Sequence, residues 1–444
     1  MALIIRNGRV CDPSQGLDKV ADILVIDGRI AALGERLEAP PEAEALDASG
    51  LVVAPGFIDV HVHLREPGFV AKETIATGTR AAAAGGFTAV CCMANTSPVN
   101  DSPLVTRYIL DRARESAACR VYPIGAVTKG LQGEALADIG GMAEAGVVAL
   151  SDDGHGIANA NLMRRALEYA ADFDLPVIDH CENRDLAAGG VVNEGAVSTH
   201  LGVRGMTRAA EEADVARDVV LASLTGARVH IAHLSTAGSL ELVRRAQAEG
   251  LPMTCEVTPH HLALDESAVL ELGALAKMNP PLRTAADVEA LLEGVADGVV
   301  ACIATDHAPH ATLEKDQVLS HAPFGVTGLE CAVSLMLDRL HWRQGISLMR
   351  VVELFSTGPA RAFKLPGGTL QIGSPADMTL LDLSRETVVD ASRWQSKARN
   401  CPFNGWRLKG APVLTLIDGK RVTLDSAAPA KAPMEMVATL SRTS

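Results

Sequence analysis

The chain has 444 residues, 48% hydrophobic and 21% charged, long enough to bury a large core and to form one large domain with a smaller one. Its net charge of −14 argues against nucleic acid or an anionic membrane surface as the main partner, because both would repel it. Nine cysteines, odd in number and without a CxxC pair, suggest neither a disulfide framework nor a cysteine-rich zinc site.

The N-terminus reaches the turn signal Asn7-Gly8 before a signal-peptide core could form, and no apolar run approaches a membrane span, so the cytoplasm is the expected compartment. Short β-rich runs occupy residues 2–6 and 22–33, the latter broken by Asp27-Gly28, a strong hairpin signal. Next comes Phe57-Ile58-Asp59-Val60-His61-Val62-His63-Leu64-Arg65. Read with a two-residue period, it sets Asp59, His61 and His63 on one face and Ile58, Val60, Val62 and Leu64 on the other. Imidazoles at i and i+2 lie about 7 Å apart along a strand and can lean onto one ion. Taken alone, the stretch reads equally well as a buried strand whose histidines are satisfied by core hydrogen bonds.

From there the chain alternates. Strand-like runs fall near 57–64, 87–93, 120–127, 147–152, 176–181, 228–234, 253–258 and 300–306, with helical patterns between most of them, such as 72–84, 104–116, 161–172, 208–224 and 239–248. Eight βα units predict an α/β fold, a (β/α)8 TIM barrel. A doubly wound open sheet is the alternative, but it would normally bring an early Gly-rich nucleotide turn, which is missing. β-rich runs return at 377–383 and 413–422, which predicts a small β-sandwich-like domain built from both termini: residues 1–52 and 366–444, around a barrel at 53–365. After about Asp425 the Ala/Pro-rich tail reads as a loosely ordered extension.

In a TIM barrel, function sits at the C-terminal ends of the strands. Those ends carry His61 and His63, Asp152-Asp153, His180 with Glu182, His230 and His233, and Asp306 with His310. Four of these histidines and two of these carboxylates already exceed the needs of one tetrahedral zinc and fit a two-ion site bridged by a carboxylate. His230 falls opposite His233 on its strand and reads as a core or supporting imidazole; His260 and His261 read as loop structure.

This order of ligand types resembles the amidohydrolase superfamily, and its details resemble the class I dihydroorotases. The similar motifs are Asp59-Val60-His61-Val62-His63-Leu64-Arg65-Glu66-Pro67-Gly68, Ser151-Asp152-Asp153-Gly154, Lys277-Met278-Asn279-Pro280-Pro281-Leu282-Arg283 and Thr305-Asp306-His307-Ala308-Pro309-His310, with Phe324-Gly325, Gly328-Leu329-Glu330 and Ser396–Phe403 in support. Where that family usually has Met-Pro-Asn-Thr, this chain has Met93-Ala94-Asn95-Thr96, which puts the loop's rigidity in question more than Asn95 itself. Hydantoinases and their kin resemble one another in bridging their metals with a carboxylated lysine. The end of strand four offers Asp153 instead, and Lys129 on the preceding loop is a poor substitute.

The resemblance implies up to two Zn2+ per subunit: His61, His63 and Asp306 on one, His180 and His233 on the other, and Asp153 between, with Glu182 a supporting partner rather than a ligand. It implies Arg65, Asn95 and His310 for a substrate carboxylate, and Asn279, Phe324 and Gly325 for the edges of a pyrimidine ring. The implied reaction is the reversible cyclisation of N-carbamoyl-L-aspartate to (S)-dihydroorotate in pyrimidine synthesis. Zinc would supply the activated water, and Asp306 would be the general acid/base. Another cyclic amidase, such as an allantoinase or hydantoinase, is the enzymatic alternative; a structural homologue without activity is the other. A small-molecule substrate, self-association into a homo-oligomer and an aspartate transcarbamoylase partner are expected; nucleic acid and membrane are not.

Overall fold

In a computed structural model that describes residues 2–424, both ends of the described chain contribute β-structure. Five strands open it: β1 (Ala2–Asp12), β2 (Leu17–Ile26), β3 (Arg29–Gly34), β4 (Glu44–Asp47) and β5 (Val52–Pro55). Asp27 and Gly28 take φ of 49° and 78° between β2 and β3, the left-handed pair that a two-residue type I′ turn requires.

The barrel strands follow as β6 (Phe57–Val62), β7 (Phe87–Cys92), β8 (Arg120–Gly125), β9 (Ala149–Ser151) and β10 (Val177–Asp179). A separate two-stranded pair, β11 (Val192–Asn193) and β12 (Gly205–Met206), precedes the last three, β13 (Val229–Ile231), β14 (Met253–Val257) and β15 (Cys302–Ile303). The eight pair in parallel and in chain order, and a parallel bridge from Val62 to His307 brings the end back to the start. Helices Ile75–Ala84, Pro103–Ser116, Ala160–Ala171, Ala209–Thr225 and Ala237–Ala248 lie where the sequence pattern places them. Caps explain several starts. Thr74 and Thr77 form a reciprocal capping box, and the Asn159 side chain accepts from Asn161 and Leu162 N–H.

Covered on both faces, β6 and β7 are buried along their whole length. Ala89, Cys91, Ile124, Ala149, Ile178 and Ala232 fill the barrel together with Ile58 and Val60, whereas Val62 and Leu64 join the cluster under the helices. Simple alternation along β6 therefore fails. Asp59 pairs with Val90 and Val62 with Cys92, three steps against two, and this bulge shifts the second half of the strand to the other face. The eighth strand is also shorter than the expected 300–306, because Thr305 N–H goes to the Asp59 carboxylate at 3.1 and 3.3 Å instead of to a strand ladder.

Finally β16 (Met378–Val388), β17 (Arg407–Ile417) and β18 (Lys420–Arg421) rejoin the first sheet, in the order β18-β17-β16-β5-β1-β2-β3 with β4 beside β1. The first and last described strands thus build one mixed sheet around a core that includes Leu3, Ile5, Ile23, Val53, Met378 and Leu416. The expected extension after about residue 425 lies outside the described residues. No helix among the described residues is long and apolar enough to cross a membrane.

Candidate metal centre and active site

Six predicted ligands meet at the C-terminal end of the barrel. His61 is on β6 itself, with His63 just past it; Asp153, His180, His233 and Asp306 follow β9, β10, β13 and β15. His233 and Asp306 take left-handed backbone, φ 30° and 46°, which is uncommon for residues with a Cβ and re-aims each side chain where its strand ends. Asp153 is central. Its carboxylate lies 3.4 Å from His61 Nε2, 3.5 Å from His63 Nε2, 3.5 Å from His180 Nδ1 and 3.3 Å from His233 Nε2. Asp306 Oδ1 is 2.9 Å from His63 Nε2 and 3.6 Å from His61 Nε2. Two sets of ligand atoms converge within 4.8 Å: His61, His63 and Asp306, and His61, Asp153 and His233.

Each of three imidazoles turns its outer nitrogen to an oxygen, the arrangement in which a neutral ring protonated there leaves its inner nitrogen free to ligate a metal. His61 Nδ1 meets Glu256 at 2.7 Å, His63 Nδ1 meets Asn95 Oδ1 at 2.9 Å, and His180 Nε2 meets Glu182 at 3.3 Å. His61 Nε2 is buried with no hydrogen-bond partner in the protein, an orphan that a cation would satisfy. Burial opposes charge throughout, yet the neighbouring histidines hold Asp153 well below the carboxylate range. Against the same burial, Asp153 and Glu256 raise His61 well above the usual imidazole value, and Asp153 and Glu182 raise His180 to about 10. The raised values mean that protons on His61 and His180 answer these carboxylates; a divalent cation would take the place of those protons on the inward nitrogens, and the set of carboxylates and imidazoles fits two such ions.

Asp152 does not enter this cluster. Its carboxylate is taken by Val127 N–H at 2.8 Å, Thr128 N–H at 2.9 Å and the Thr128 hydroxyl. Lys129 is exposed on a short turn. His230 points to Thr254 and Glu256 inside the barrel, the supporting place its strand position implied. His260 and His261 lie on a short helix, Pro259–Ala263, rather than a loop; His261 bonds Thr258 and the Pro280 carbonyl. Ala94 sits where a proline was expected, and its carbonyl still accepts from Thr96 and Asn100 N–H, so the loop closes without the ring.

A cavity of about 220 Å³ opens over the cluster, and its wall includes all six residues expected to hold substrate: Arg65, Asn95, Asn279, His310, Phe324 and Gly325. Asn279 donates to Glu182 at 2.6 Å and leaves its buried Oδ1 without a partner. His310 Nε2 donates to the Phe324 carbonyl at 2.7 Å, which leaves a buried Nδ1 as acceptor. Burial, with Arg65 nearby, lowers the His310 pKa to about 3, so this ring is neutral. At Gly325 a Cβ would stand 2.7 Å from Ala308 Cβ, and φ is 121°, so only glycine lets this loop close on residues 308–310.

A family model described as "Dihydro-orotase-like" matches residues 50–239. The chain is 50% identical over 419 residues to a dihydroorotase of Solibacter usitatus, covering 94% of this chain and 97% of that one. It is 51% identical over 420 residues to one of Syntrophotalea carbinolica, covering 95% and 98%. The chain belongs to the dihydroorotase family. Among solved structures, an L-hydantoinase from Arthrobacter aurescens superposes with a TM-score of 0.87 at 27% identity over 96% of this chain and 97% of that one. A D-hydantoinase from a Thermus species gives 0.83 at 25% identity, with 96% of each chain covered. Beside the ligand types read from the sequence, this dihydroorotase-family site contains two residues to which that reading gave no role. Glu256 left one signal, a carboxylate inside the apolar strand Met253–Val257. Asn400 lies in the Ser396–Phe403 motif, but nothing in that motif tied it to the site, because its partners lie 75–92 positions away in sequence.

Proposed function

We propose that the chain is a dihydroorotase, a cyclic amide hydrolase that interconverts (S)-dihydroorotate plus water and N-carbamoyl-L-aspartate. The observation that carries this reading is Asp153 within 3.3–3.5 Å of four imidazoles, in a chain about half identical to dihydroorotases along nearly its whole length. We take zinc as the metal, up to two ions per subunit: His61, His63 and Asp306 at one position, His180 and His233 at the other, Asp153 between. Bound zinc supplies Lewis acidity toward a carbonyl and lowers the pKa of water.

The chain's own groups do the rest. Asp306 sits at the floor of the cavity, and through hydrogen bonding and proximity to His63 and His61 its pKa stays low despite burial, so it starts as a base. In hydrolysis it takes a proton from the attacking water and returns it to the departing ring nitrogen. In cyclisation it takes the proton from the ureido nitrogen, one carboxylate serving both directions by microscopic reversibility. Arg65 offers a fork-shaped donor to the substrate carboxylate. The unpartnered Asn279 Oδ1 and His310 Nδ1 are acceptors for ring N–H groups; for His310 this replaces the expected carboxylate contact, because the neutral ring spends its N–H on the Phe324 carbonyl, and the 324–325 backbone borders the ring edge.

The division at 1–52, 53–365 and 366–444 belongs to the same proposal; the terminal sheet's strands lie in Ala2–Pro55 and Met378–Arg421. So do a cytoplasmic location, self-association and pairing with an aspartate transcarbamoylase, which chromatography with and without that partner tests. The decisive assay offers zinc-loaded protein dihydroorotate, hydantoin and allantoin. Turnover of dihydroorotate in both directions is expected, and opening of hydantoin or allantoin alone would overturn the reading. Asp306→Ala is expected to abolish both directions while metal stays bound through the five other ligands.

A further inference from the structure

Glu256 lies inside the barrel on β14 and is 1% exposed. A carboxylate there needs strong compensation, and both contacts of its Oε1 are to residues of the metal cluster. Oε1 stands 2.7 Å from His61 Nδ1 and also accepts the backbone N–H of His233 at 3.3 Å. Oε2 stands 3.2 Å from His230 Nε2, and the other nitrogen of His230 meets Thr254 Oγ1 at 2.7 Å. Thr254, Glu256 and His230 thus form a clamp between two adjacent strands, and its free end grips His61 on a third.

Two consequences follow from the geometry. A neutral imidazole has two tautomers, and only the one protonated at Nδ1 presents a lone pair at Nε2. A carboxylate 2.7 Å from Nδ1 selects that tautomer. The selected lone pair is the buried Nε2 that has no partner in the protein and faces Asp153 and Asp306. The same carboxylate oxygen fixes the backbone of His233, at the point where φ is 30° and its ring turns to within 3.3 Å of Asp153. One oxygen therefore sets a residue assigned to each of the two metal positions.

We infer that Glu256 is a positioning residue for the metal centre: it fixes the tautomer of His61 and the place of His233 together, and His230 with Thr254 holds it in turn. This rests on the two-metal reading above. The test measures zinc affinity of the folded protein, by titrating metal-depleted protein against a chromophoric chelator. Variants Glu256→Leu, Glu256→Gln, His230→Gln and His61→Ala are compared, with circular dichroism as the check of fold. Removing a ligand's outer partner costs roughly 10–100-fold in metal affinity. Glu256→Leu is expected to show a loss of that size. Glu256→Gln keeps a carbonyl acceptor for His61 and should recover part of it, and His230→Gln should show a smaller loss. The absorption of the cobalt-substituted protein should shift in Glu256→Leu, because ligand geometry changes, which a purely structural role would leave as in the wild type. If Glu256→Leu does not fold, the Gln variants carry the test. Wild-type zinc affinity and cobalt spectrum in the folded Glu256 variants, with zinc lost in His61→Ala, would overturn this inference alone. Zinc retained undiminished in His61→Ala would overturn the metal reading beneath it.

Discussion

Asp152 and Asp153 are neighbours of the same chemistry, and their environments give them different work. Three donors from the loop after β8 consume Asp152, while the Asp153 carboxylate stands within 3.5 Å of four imidazoles. The strand pattern offered both carboxylates and only the family resemblance singled out Asp153, because the physical difference depends on backbone N–H groups 24 and 25 residues away. His61, His63 and Asp306 were legible for the opposite reason: each sits at a strand end whose position follows from local pattern. Arg65 is the sharpest residue-scale case. Its Nε donates weakly to the Pro309 carbonyl at 3.3 Å, and its guanidinium borders the cavity. A charge-assisted pair with a substrate carboxylate contributes about 1.5–3 kcal/mol. Arg65→Ala is therefore expected to lower kcat/KM for dihydroorotate by roughly 10–150-fold, chiefly through KM, with zinc content unchanged. Arg65→Lys should recover only part, since an ammonium lacks the fork. Steady-state kinetics with metal analysis decides it, and unchanged KM in Arg65→Ala would remove the carboxylate role.

At the scale of elements, the cavity wall depends on two loops that the sequence shows only as separate motifs. One, after β15, carries Ala308 and His310; the other carries Phe324 and Gly325. Asn400, 4% exposed, joins them. Its Nδ2 donates to the Ala308 and Gly325 carbonyls, both at 3.1 Å, and its Oδ1 accepts His310 N–H at 3.2 Å. Its carbonyl also accepts Thr327 N–H at 3.0 Å. The stretch around it stood out in the sequence as a motif, but nothing in the pattern connected it to the cavity. Truncation at this position strands three buried backbone groups, each costing about 1–3 kcal/mol if left unpaired, so the loops are expected to shift to find other partners. Asn400→Ala should raise KM for dihydroorotate about tenfold or more and lower the thermal midpoint, while zinc affinity stays that of the wild type. Kinetics and metal titration on one preparation separate the effects; unchanged KM would show that the loops hold without the staple.

For the whole molecule, eight βα units and two β-rich ends were readable because hydrophobic period and turn chemistry are local. How the ends find one another was not, since β16 lies beside β5 across more than 300 residues of intervening chain. The join between barrel and terminal sheet includes a charged contact among its hydrogen bonds. Arg120, the first residue of β8, makes a two-pronged contact to Asp377 at 2.7 and 2.9 Å and reaches Asp418 at 2.7 Å. Asp377 is 7% exposed and precedes β16, while Asp418 sits in the turn between β17 and β18. One guanidinium thus holds a barrel strand to two points of the C-terminal chain. Without it, Asp377 keeps the Asp418 N–H at 2.9 Å but loses its only charged partner among the described contacts. Arg120 is itself partly exposed, and water softens the loss. Arg120→Ala is expected to cost about 1–2 kcal/mol, seen as a lower urea midpoint with unchanged slope. β8 begins at the barrel end opposite the metal cluster, so kcat/KM at 25 °C should stay within about twofold of the wild type, well below the tenfold that 1.4 kcal/mol at the transition state would produce. Loss of activity in step with loss of stability would instead mean that the terminal sheet shapes the site, and the sheet could no longer be regarded as a support remote from the chemistry.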